Sequence, residues 1–215
     1  LVPQPQAEPQ AVSRGIAVVD FGSQYTHLIA RRIRDLSVYS EIVRASATWE
    51  SVQHLNPRGV ILSGGPASVY DQGAPRIPDW VFERDLPVLG ICYGMQALVH
   101  QLGGEVVPGQ AQEYGSAVLH QNGGEAPLFT ELPPTFQVWM SHGDRIAALP
   151  PGFSSLAYTE NSPVAALGDG KSIFGLQFHP EVNHTPLGQS ILENFLVQAC
   201  KCRESWTPGN FVNDS

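Results

Sequence analysis

Apolar positions in the first half of the chain follow two patterns, short continuous runs and runs with helical spacing. The continuous runs predict strands buried on both faces, at about 15–22, 38–44, 59–62 and 88–91. Helical spacing follows them at about 24–36, 48–55, 78–85 and 96–102. Such alternation indicates βαβ units with right-handed crossovers. We therefore expect an α/β fold, a three-layer open and mostly parallel sheet with helices on both faces.

The second half of the chain has a different pattern. Short strand-like runs are separated by Gly, Pro and Asn, at 113–121, 136–141, 154–159, 163–167 and 172–178. These runs predict antiparallel strands added beside the parallel sheet. A last amphipathic helix is expected at about 187–200. Residues 1–14 contain three prolines and no periodicity, which predicts a disordered lead-in before a domain that starts at residue 15.

Composition narrows the class of protein. The chain has 215 residues, of which 42% are hydrophobic and 15% charged, with a net charge of -8. The acidic balance and the absence of a basic stripe disfavour nucleic acid or an anionic membrane as a partner. No apolar run has the length of a membrane span. Three cysteines, an odd number, argue against a disulfide framework, so we expect a cytoplasmic protein.

Cys92 stands at the centre of the most informative motif. It follows the apolar run 88–91, lies between Gly90 and Gly94, and precedes a helical pattern. Strand, Gly-x-Cys-x-Gly and helix form the thiol counterpart of a nucleophile elbow, in which small neighbours permit a strained turn. The helix N-terminus favours a thiolate. The alternative is a core cysteine beside turn glycines.

A cysteine nucleophile needs a base, and the base needs a group to orient it. His179 and Glu181 lie two residues apart after a predicted strand, so both can face one cleft. Taken alone, a His-Pro-Glu sequence is more often an ordinary loop. The N–H groups of Tyr93 and Gly65 are candidate donors to an oxyanion.

Metal and nucleotide sites are not indicated. Cys200 and Cys202 have no upstream pair of ligands, so no zinc site is expected. The sequence 63–66, Ser-Gly-Gly-Pro, lacks the Gly-Lys-Ser/Thr of a P-loop.

Three motifs together resemble those of the class I (triad) glutamine amidotransferases, over roughly residues 15–202. Residues 90–96 resemble the nucleophile motif, 177–181 the His-Pro-Glu motif and 62–66 the oxyanion loop. The resemblance implies a flavodoxin-like sheet. It also implies that Cys92 attacks the side-chain amide of L-glutamine, that His179 oriented by Glu181 assists, and that Gly65 and Tyr93 form the oxyanion hole.

The same resemblance implies a site for the α-amino and α-carboxylate groups of glutamine. It is formed by Gln96 and the segment 141–144, expected to be a loop, partly through backbone atoms. The residues of that segment are Ser141, His142, Gly143 and Asp144. Asp144 is the implied partner of the α-amino group.

Within the family, residues 19–25, 63–70 and 141–144 and the Tyr-Gly-Met after Cys92 resemble GMP synthetases. This implies a glutaminase without metal or cofactor of its own. ATP and Mg²⁺ would bind an ATP-pyrophosphatase domain absent from this sequence, where ammonia converts XMP to GMP. Residues 203–215 would begin the linker to that domain, and the full enzyme would be a homodimer. The alternatives are an amidotransferase of another pathway and a regulatory domain without catalysis.

Overall fold

The computed structural model of the chain describes residues 14–123 and 126–202, without the side chains of 110–112. The expected linker at 203–215, and the expected lead-in apart from its last residue, lie outside these residues. Within them, no helix is long and apolar enough to cross a membrane.

The described part of the chain contains nine strands, five α-helices and two short 3-10 helices, Gln53–Leu55 and Pro127–Phe129. The strands are β1 (Ile16–Asp20), β2 (Ser40–Arg44), β3 (Gly59–Leu62), β4 (Val88–Ile91), β5 (Glu105–Gln121), β6 (Thr135–Ala148), β7 (Ser154–Tyr158), β8 (Ala166–Gly168) and β9 (Ile173–Leu176). The helices are α1 (Thr26–Asp35), α2 (Trp49–Val52), α3 (Trp80–Glu83), α4 (Tyr93–Gln101) and α5 (Gly188–Asn194). Residues Phe195–Ala199 continue α5 as a π-helical segment.

All nine strands join in one sheet, in the order β2-β1-β3-β4-β9-β8-β7-β5-β6. The first five strands of that order pair in parallel, and the remaining pairings are antiparallel. The α/β prediction is therefore confirmed, including the antiparallel strands in the second half.

Two hydrophobic cores lie on the two faces of the parallel part. Ile16 and Val18 of β1 pack into one core with residues of α1 and α5. Ala17 and Val19 pack into the other with residues of α2, α3 and α4. Successive side chains of a strand point to opposite faces, so a strand covered by helices on both sides has to be apolar throughout. This is the reason that β1, β3 and β4 are continuous apolar runs.

The long hairpin of β5 and β6 corrects one expectation. The segment 141–144 was expected to be a loop, but it lies inside β6, which continues to Ala148. Pairing with β5 holds it there, since His142 lies opposite Glu113 and Asp144 opposite Pro108. The sequence missed this because the segment has no alternation of apolar and polar residues, and long-range pairing supplies the strand instead.

Three neighbouring parallel strands bring the candidate residues to one edge. β3, β4 and β9 are adjacent, with Leu62 opposite Gly90 and Ile91 opposite Leu176. The residues that follow each strand therefore meet at the carboxyl edge, where open α/β sheets place their sites.

Candidate active site

Cys92 occupies a strained turn between β4 and α4. Its φ is 51° and its ψ is -107°, and it is the N-terminal cap of the helix that begins at Tyr93. Its carbonyl accepts a hydrogen bond from the N–H of Gln96. A non-glycine residue at positive φ is unfavourable by about 1–3 kcal/mol and persists where the surrounding structure enforces it, which is common at functional sites.

Two glycines allow this turn to form. A Cβ at Gly90 would lie 2.7 Å from the backbone of Gly94, and a Cβ at Gly94 would lie 2.4 Å from the carbonyl oxygen of Leu62. Backbone atoms cannot move away as a flexible side chain can. The elbow therefore requires glycine at both positions, as the sequence pattern predicted.

His179 lies between Cys92 and Glu181. Its Nδ1 is 2.7 Å from Oε1 of Glu181, whose side chain is fully buried, and the ring also interacts with Cys92. The N–H of His179 donates to the carbonyl of Trp139, and its carbonyl accepts from the hydroxyl of Thr185. The backbone of the His-Pro-Glu turn is thus held on both sides of the ring.

The charge of the imidazole ring follows from these contacts. Burial disfavours the positive charge, but hydrogen bonds with Cys92 and Glu181 and the negative charges of both groups outweigh burial, and they raise the pKa of His179 to about 10. His179 is 4% exposed. At neutral pH the ring is an imidazolium beside a cysteine sulfur, the arrangement that favours a nucleophilic thiolate.

The other two cysteines lie in different surroundings. Cys200 and Cys202 are free and buried. Burial and the nearby Cys202 raise the pKa of Cys200 well above its usual range, and burial also raises the pKa of Cys202. Both therefore remain protonated thiols at neutral pH, so neither has the ionised sulfur that a cysteine nucleophile needs.

The loop after β3 lies against the elbow. A Cβ at Gly64 would lie 3.3 Å from His179 and 3.7 Å from Cys92, and a Cβ at Gly65 would lie 3.4 Å from the ring of Tyr93. The carbonyl of Ser63 accepts a hydrogen bond from Gly94. The two candidate oxyanion donors, Gly65 and Tyr93, are therefore neighbours.

The candidate substrate-binding residues lie close to the turn at Cys92. Nε2 of Gln96 lies 3.4 Å from the carbonyl oxygen of Asp144, and the carbonyl of Ser141 lies 3.6 Å from the sulfur of Cys92. Asp144 Oδ1 and Oδ2 each accept a hydrogen bond of 2.6 Å, from the hydroxyls of Tyr70 and Ser68. The part of β6 that replaces the expected loop therefore lies beside Cys92.

His142 and Gly143 are the remaining members of this set. His142 is buried and turns both ring nitrogens toward protein atoms, Nδ1 toward the carbonyl of Asp144 at 2.8 Å and Nε2 toward Glu113 at 3.2 Å. Gly143, between them in β6, is half-buried.

Sequence reasoning missed three residues that contact the site. Gln177 is buried and points Nε2 at the sulfur of Cys92 from 3.8 Å. Its place two residues before His179, on the same side of an extended chain, was an available signal. The ring of Tyr25 lies 5.5 Å from that of His179 at 69°, and Arg32 donates to the carbonyl of Glu181. No local pattern marks these last two contacts.

No group of three or more His, Cys, Asp or Glu side chains in residues 14–123 and 126–202 has the arrangement of a metal site. The observed geometry brings together a cysteine in a strained turn, an imidazolium and a buried carboxylate.

Comparison with known proteins agrees with this geometry. The family model described as "Glutamine amidotransferase class-I" matches residues 17–199. A GMP synthase [glutamine-hydrolyzing] of Dehalococcoides mccartyi is 55% identical over 208 residues, which are 97% of this chain and 39% of that protein. The protein of the same name from Thermomicrobium roseum is 56% identical over 200 residues, 93% of this chain and 38% of that one. The chain thus spans about two fifths of the length of these relatives.

Solved structures show the same fold. A Thermoplasma acidophilum protein whose structure is described as that of "a putative gmp synthase subunit a protein" aligns with a TM-score of 0.79 and 29% identity, covering 94% of this chain and 98% of that one. A glutamine amidotransferase from Thermotoga maritima aligns with a TM-score of 0.71 and 18% identity, covering 89% and 100%. With the family model matched from β1 to the end of the last helix, the chain belongs to the class-I glutamine amidotransferases.

Proposed function

We propose that Cys92 is the nucleophile of a glutaminase that converts L-glutamine to glutamate and ammonia. The observation that supports it most directly is the His179 ring held between Cys92 and the buried carboxylate of Glu181 at 2.7 Å. An ion pair between His179 and Glu181 that served only to stabilise the fold would not require a cysteine in a strained turn beside the ring. The contact of His179 with Cys92 therefore supports a catalytic role.

The proposed reaction has two halves. The sulfur of Cys92 attacks the side-chain carbonyl carbon, and the N–H groups of Gly65 and Tyr93 stabilise the oxyanion. His179 gives its proton to the departing ammonia, which leaves a glutamyl thioester. A water molecule then gives its proton to His179 and attacks the thioester, releasing glutamate and the thiolate. Glu181 keeps the ring oriented throughout.

Gln177 is a further member of this machinery. The carbonyl of Asp144 can only accept, so the side-chain atom of Gln96 that faces it is Nε2. That nitrogen also lies 3.3 Å from the side-chain oxygen of Gln177. The amide N–H of Gln177 is therefore the group aimed at Cys92, where it supports a negatively charged sulfur.

The substrate's α-amino and α-carboxylate groups would bind beside Gln96 and the segment 141–144. The Asp144 carboxylate is the proposed partner of the α-ammonium, and its bonds to Ser68 and Tyr70 leave further acceptor capacity. Both ring nitrogens of His142 bind within the protein, so His142 would contact glutamine through its backbone.

We further propose that the ammonia serves a GMP synthetase. The support is the 55–56% identity to GMP synthases across more than nine tenths of this chain. In this proposal, ATP and Mg²⁺ bind an ATP-pyrophosphatase domain outside this sequence, where XMP is aminated to GMP, and the full enzyme is a cytoplasmic homodimer. An ammonia-acceptor assay with that domain separates this pathway from another amidotransferase pathway or a regulatory domain.

Labelling with diazo-oxo-norleucine, a glutamine-like electrophile, tests the glutaminase proposal. We expect mass spectrometry to find the label on Cys92 alone among the three cysteines, and we expect glutamine to prevent it. Cys202→Ser serves as a matched control that should be labelled like the wild type. Label on Cys200 or Cys202, or labelling that glutamine does not reduce, would refute the assignment.

A further inference from the structure

A buried carboxylate outside the proposed reaction lies on β5. The side chain of Glu113 is 7% exposed, and glutamates are rarely this buried unless they are paired. Its oxygens accept hydrogen bonds from the hydroxyls of Thr159 at 3.0 Å and Ser162 at 2.8 Å, and Nε2 of His142 lies 3.2 Å away. All three partners are themselves more than nine tenths buried.

His142 connects this carboxylate to the proposed substrate site. Its Nδ1 lies 2.8 Å from the carbonyl oxygen of Asp144. A carbonyl oxygen has no proton to give, so the proton of this hydrogen bond belongs to Nδ1. At the other end of the ring, Nε2 lies 3.2 Å from Oε2 of Glu113 and 3.2 Å from the hydroxyl oxygen of Ser162, which itself donates to Glu113. The ring therefore lies between the main chain of Asp144 and the buried cluster of Glu113 and Ser162.

The pairing of β5 with β6 is irregular at this point. Pro108 lies opposite Asp144, and Glu113 lies opposite His142. Between these paired positions β5 has four residues, 109–112, whereas β6 has only Gly143. Pro108 also has no N–H to donate. Strand pairing therefore holds His142 and Asp144 on either side of the irregularity, and the His142 ring adds a side-chain restraint across it through its contact with the carbonyl of Asp144.

This segment is where the proposed site would bind the α-amino end of glutamine. The carbonyl oxygen of Asp144 also lies 3.4 Å from Nε2 of Gln96. The carboxylate of Asp144 accepts hydrogen bonds from the hydroxyls of Ser68 and Tyr70. The nucleophile is held from a different direction, through His179 and Gln177. The side chains of Glu113 and His142 make none of these contacts with Cys92. They are linked to it only indirectly, through Gln96, whose Nε2 lies 3.4 Å from the carbonyl oxygen of Asp144 and 3.3 Å from Oε1 of Gln177.

We propose that Glu113 is a positioning residue which, through His142, fixes Asp144 for recognition of the α-amino end of the substrate. This inference rests on the proposed glutaminase function. It predicts that loss of Glu113 weakens glutamine binding and leaves the reactivity of Cys92 unchanged. A purely structural role would lower both together.

Two electrophiles that react with the same sulfur separate these possibilities. Diazo-oxo-norleucine carries the α-amino and α-carboxylate groups of glutamine, whereas iodoacetamide carries neither. In Glu113→Gln, we expect labelling by the first to slow about tenfold, the effect of losing one hydrogen bond to a charged group. Alkylation by iodoacetamide should stay within about twofold of the wild type by the same reasoning. Glu160→Gln, an exposed neighbour of Thr159, is the matched control and should change neither rate.

A double variant tests whether Glu113 acts through His142. His142→Asn keeps an amide N–H near the position of Nδ1 and removes the contact with Glu113. We expect it to slow labelling by diazo-oxo-norleucine as Glu113→Gln does, and we expect the double variant to be no slower than either single one. If Glu113→Gln does not fold, Thr159→Val removes one donor to the same carboxylate and should slow labelling about threefold.

Equal slowing of both reagents in a folded variant, or additive effects in the double variant, would overturn the inference while leaving the proposed function intact. A wild-type chain that iodoacetamide alkylates but that neither binds glutamine nor reacts with diazo-oxo-norleucine would overturn both.

Discussion

Replacing Glu181 by glutamine tests the geometry of the site most directly. The variant keeps the volume of the side chain and removes its charge from a fully buried position. The contact at risk is the 2.7 Å hydrogen bond to Nδ1 of His179. Oε2 of Glu181 is buried without a hydrogen-bond partner in the described residues. In one orientation of the new amide, its N–H donors would therefore have no acceptor. In the other orientation they would point at Nδ1 of His179.

The expected magnitude follows from that one charge-assisted bond. Hydrogen bonds to charged groups contribute about 1.5–3 kcal/mol, and each 1.4 kcal/mol corresponds to about a tenfold change in rate. Glutamine hydrolysis should therefore fall roughly 10- to 100-fold. Because Glu181 stabilises the protonated ring, its removal lowers the pKa of His179 from about 10. The alkaline limb of the pH–rate profile should therefore move to lower pH.

Two measurements check this prediction. The first is the rate of glutamate formation as a function of pH, and the second is an NMR titration of the His179 ring. Glu193→Gln removes the same charge from an exposed position of α5 and should match the wild type. A Glu181→Gln variant whose His179 titration and pH–rate profile are unchanged would show that the buried carboxylate does not support the imidazolium.

Further variants test the elbow and its surroundings. Cys92→Ala should abolish glutamine hydrolysis with an unchanged circular dichroism spectrum, and retained activity would exclude Cys92 as the nucleophile. Because the φ of Cys92 is 51°, Cys92→Gly should unfold at higher denaturant than Cys92→Ala, by about 1 kcal/mol. Gly94→Ala places a Cβ 2.4 Å from the carbonyl of Leu62 and should lower the free energy of unfolding by about 3 kcal/mol, whereas wild-type stability would contradict the required close approach. Gln177→Leu should slow alkylation of Cys92 by iodoacetamide about threefold by removing one N–H donor, and an unchanged rate would remove Gln177 from the nucleophile's support.

Much of the fold was readable from local sequence. The predicted strands at 59–62 and 88–91 coincide with β3 and β4, because continuous apolar runs have one stable environment in an α/β protein. The helix predicted at 78–85 is reduced to the single turn of α3. The ends of α3 could not be predicted from the sequence, because the packing of Trp80 and Val81, rather than helical propensity, decides how far the helix extends.

The candidate site divides in the same way. Gly90, Cys92 and Gly94 were identifiable because their chemistry lies within five consecutive positions. The contacts of Glu113 were not, because its partners lie 29 to 49 positions away and a buried glutamate has no local signature. Only the tertiary structure shows which groups form hydrogen bonds with such a buried carboxylate.

The sequence by itself determined which residues can react, since the thiol, the imidazole and the strained glycine-flanked turn are properties of short segments. The tertiary structure decided which of them meet. β9 pairs directly with β4 although 81 positions separate Ile91 from Ser172, the residue before β9, and that pairing places His179 beside Cys92. It also decided that the segment 141–144 is part of a strand, because it pairs with β5. Burial and strand pairing act between distant parts of the chain, and therefore no local pattern records them.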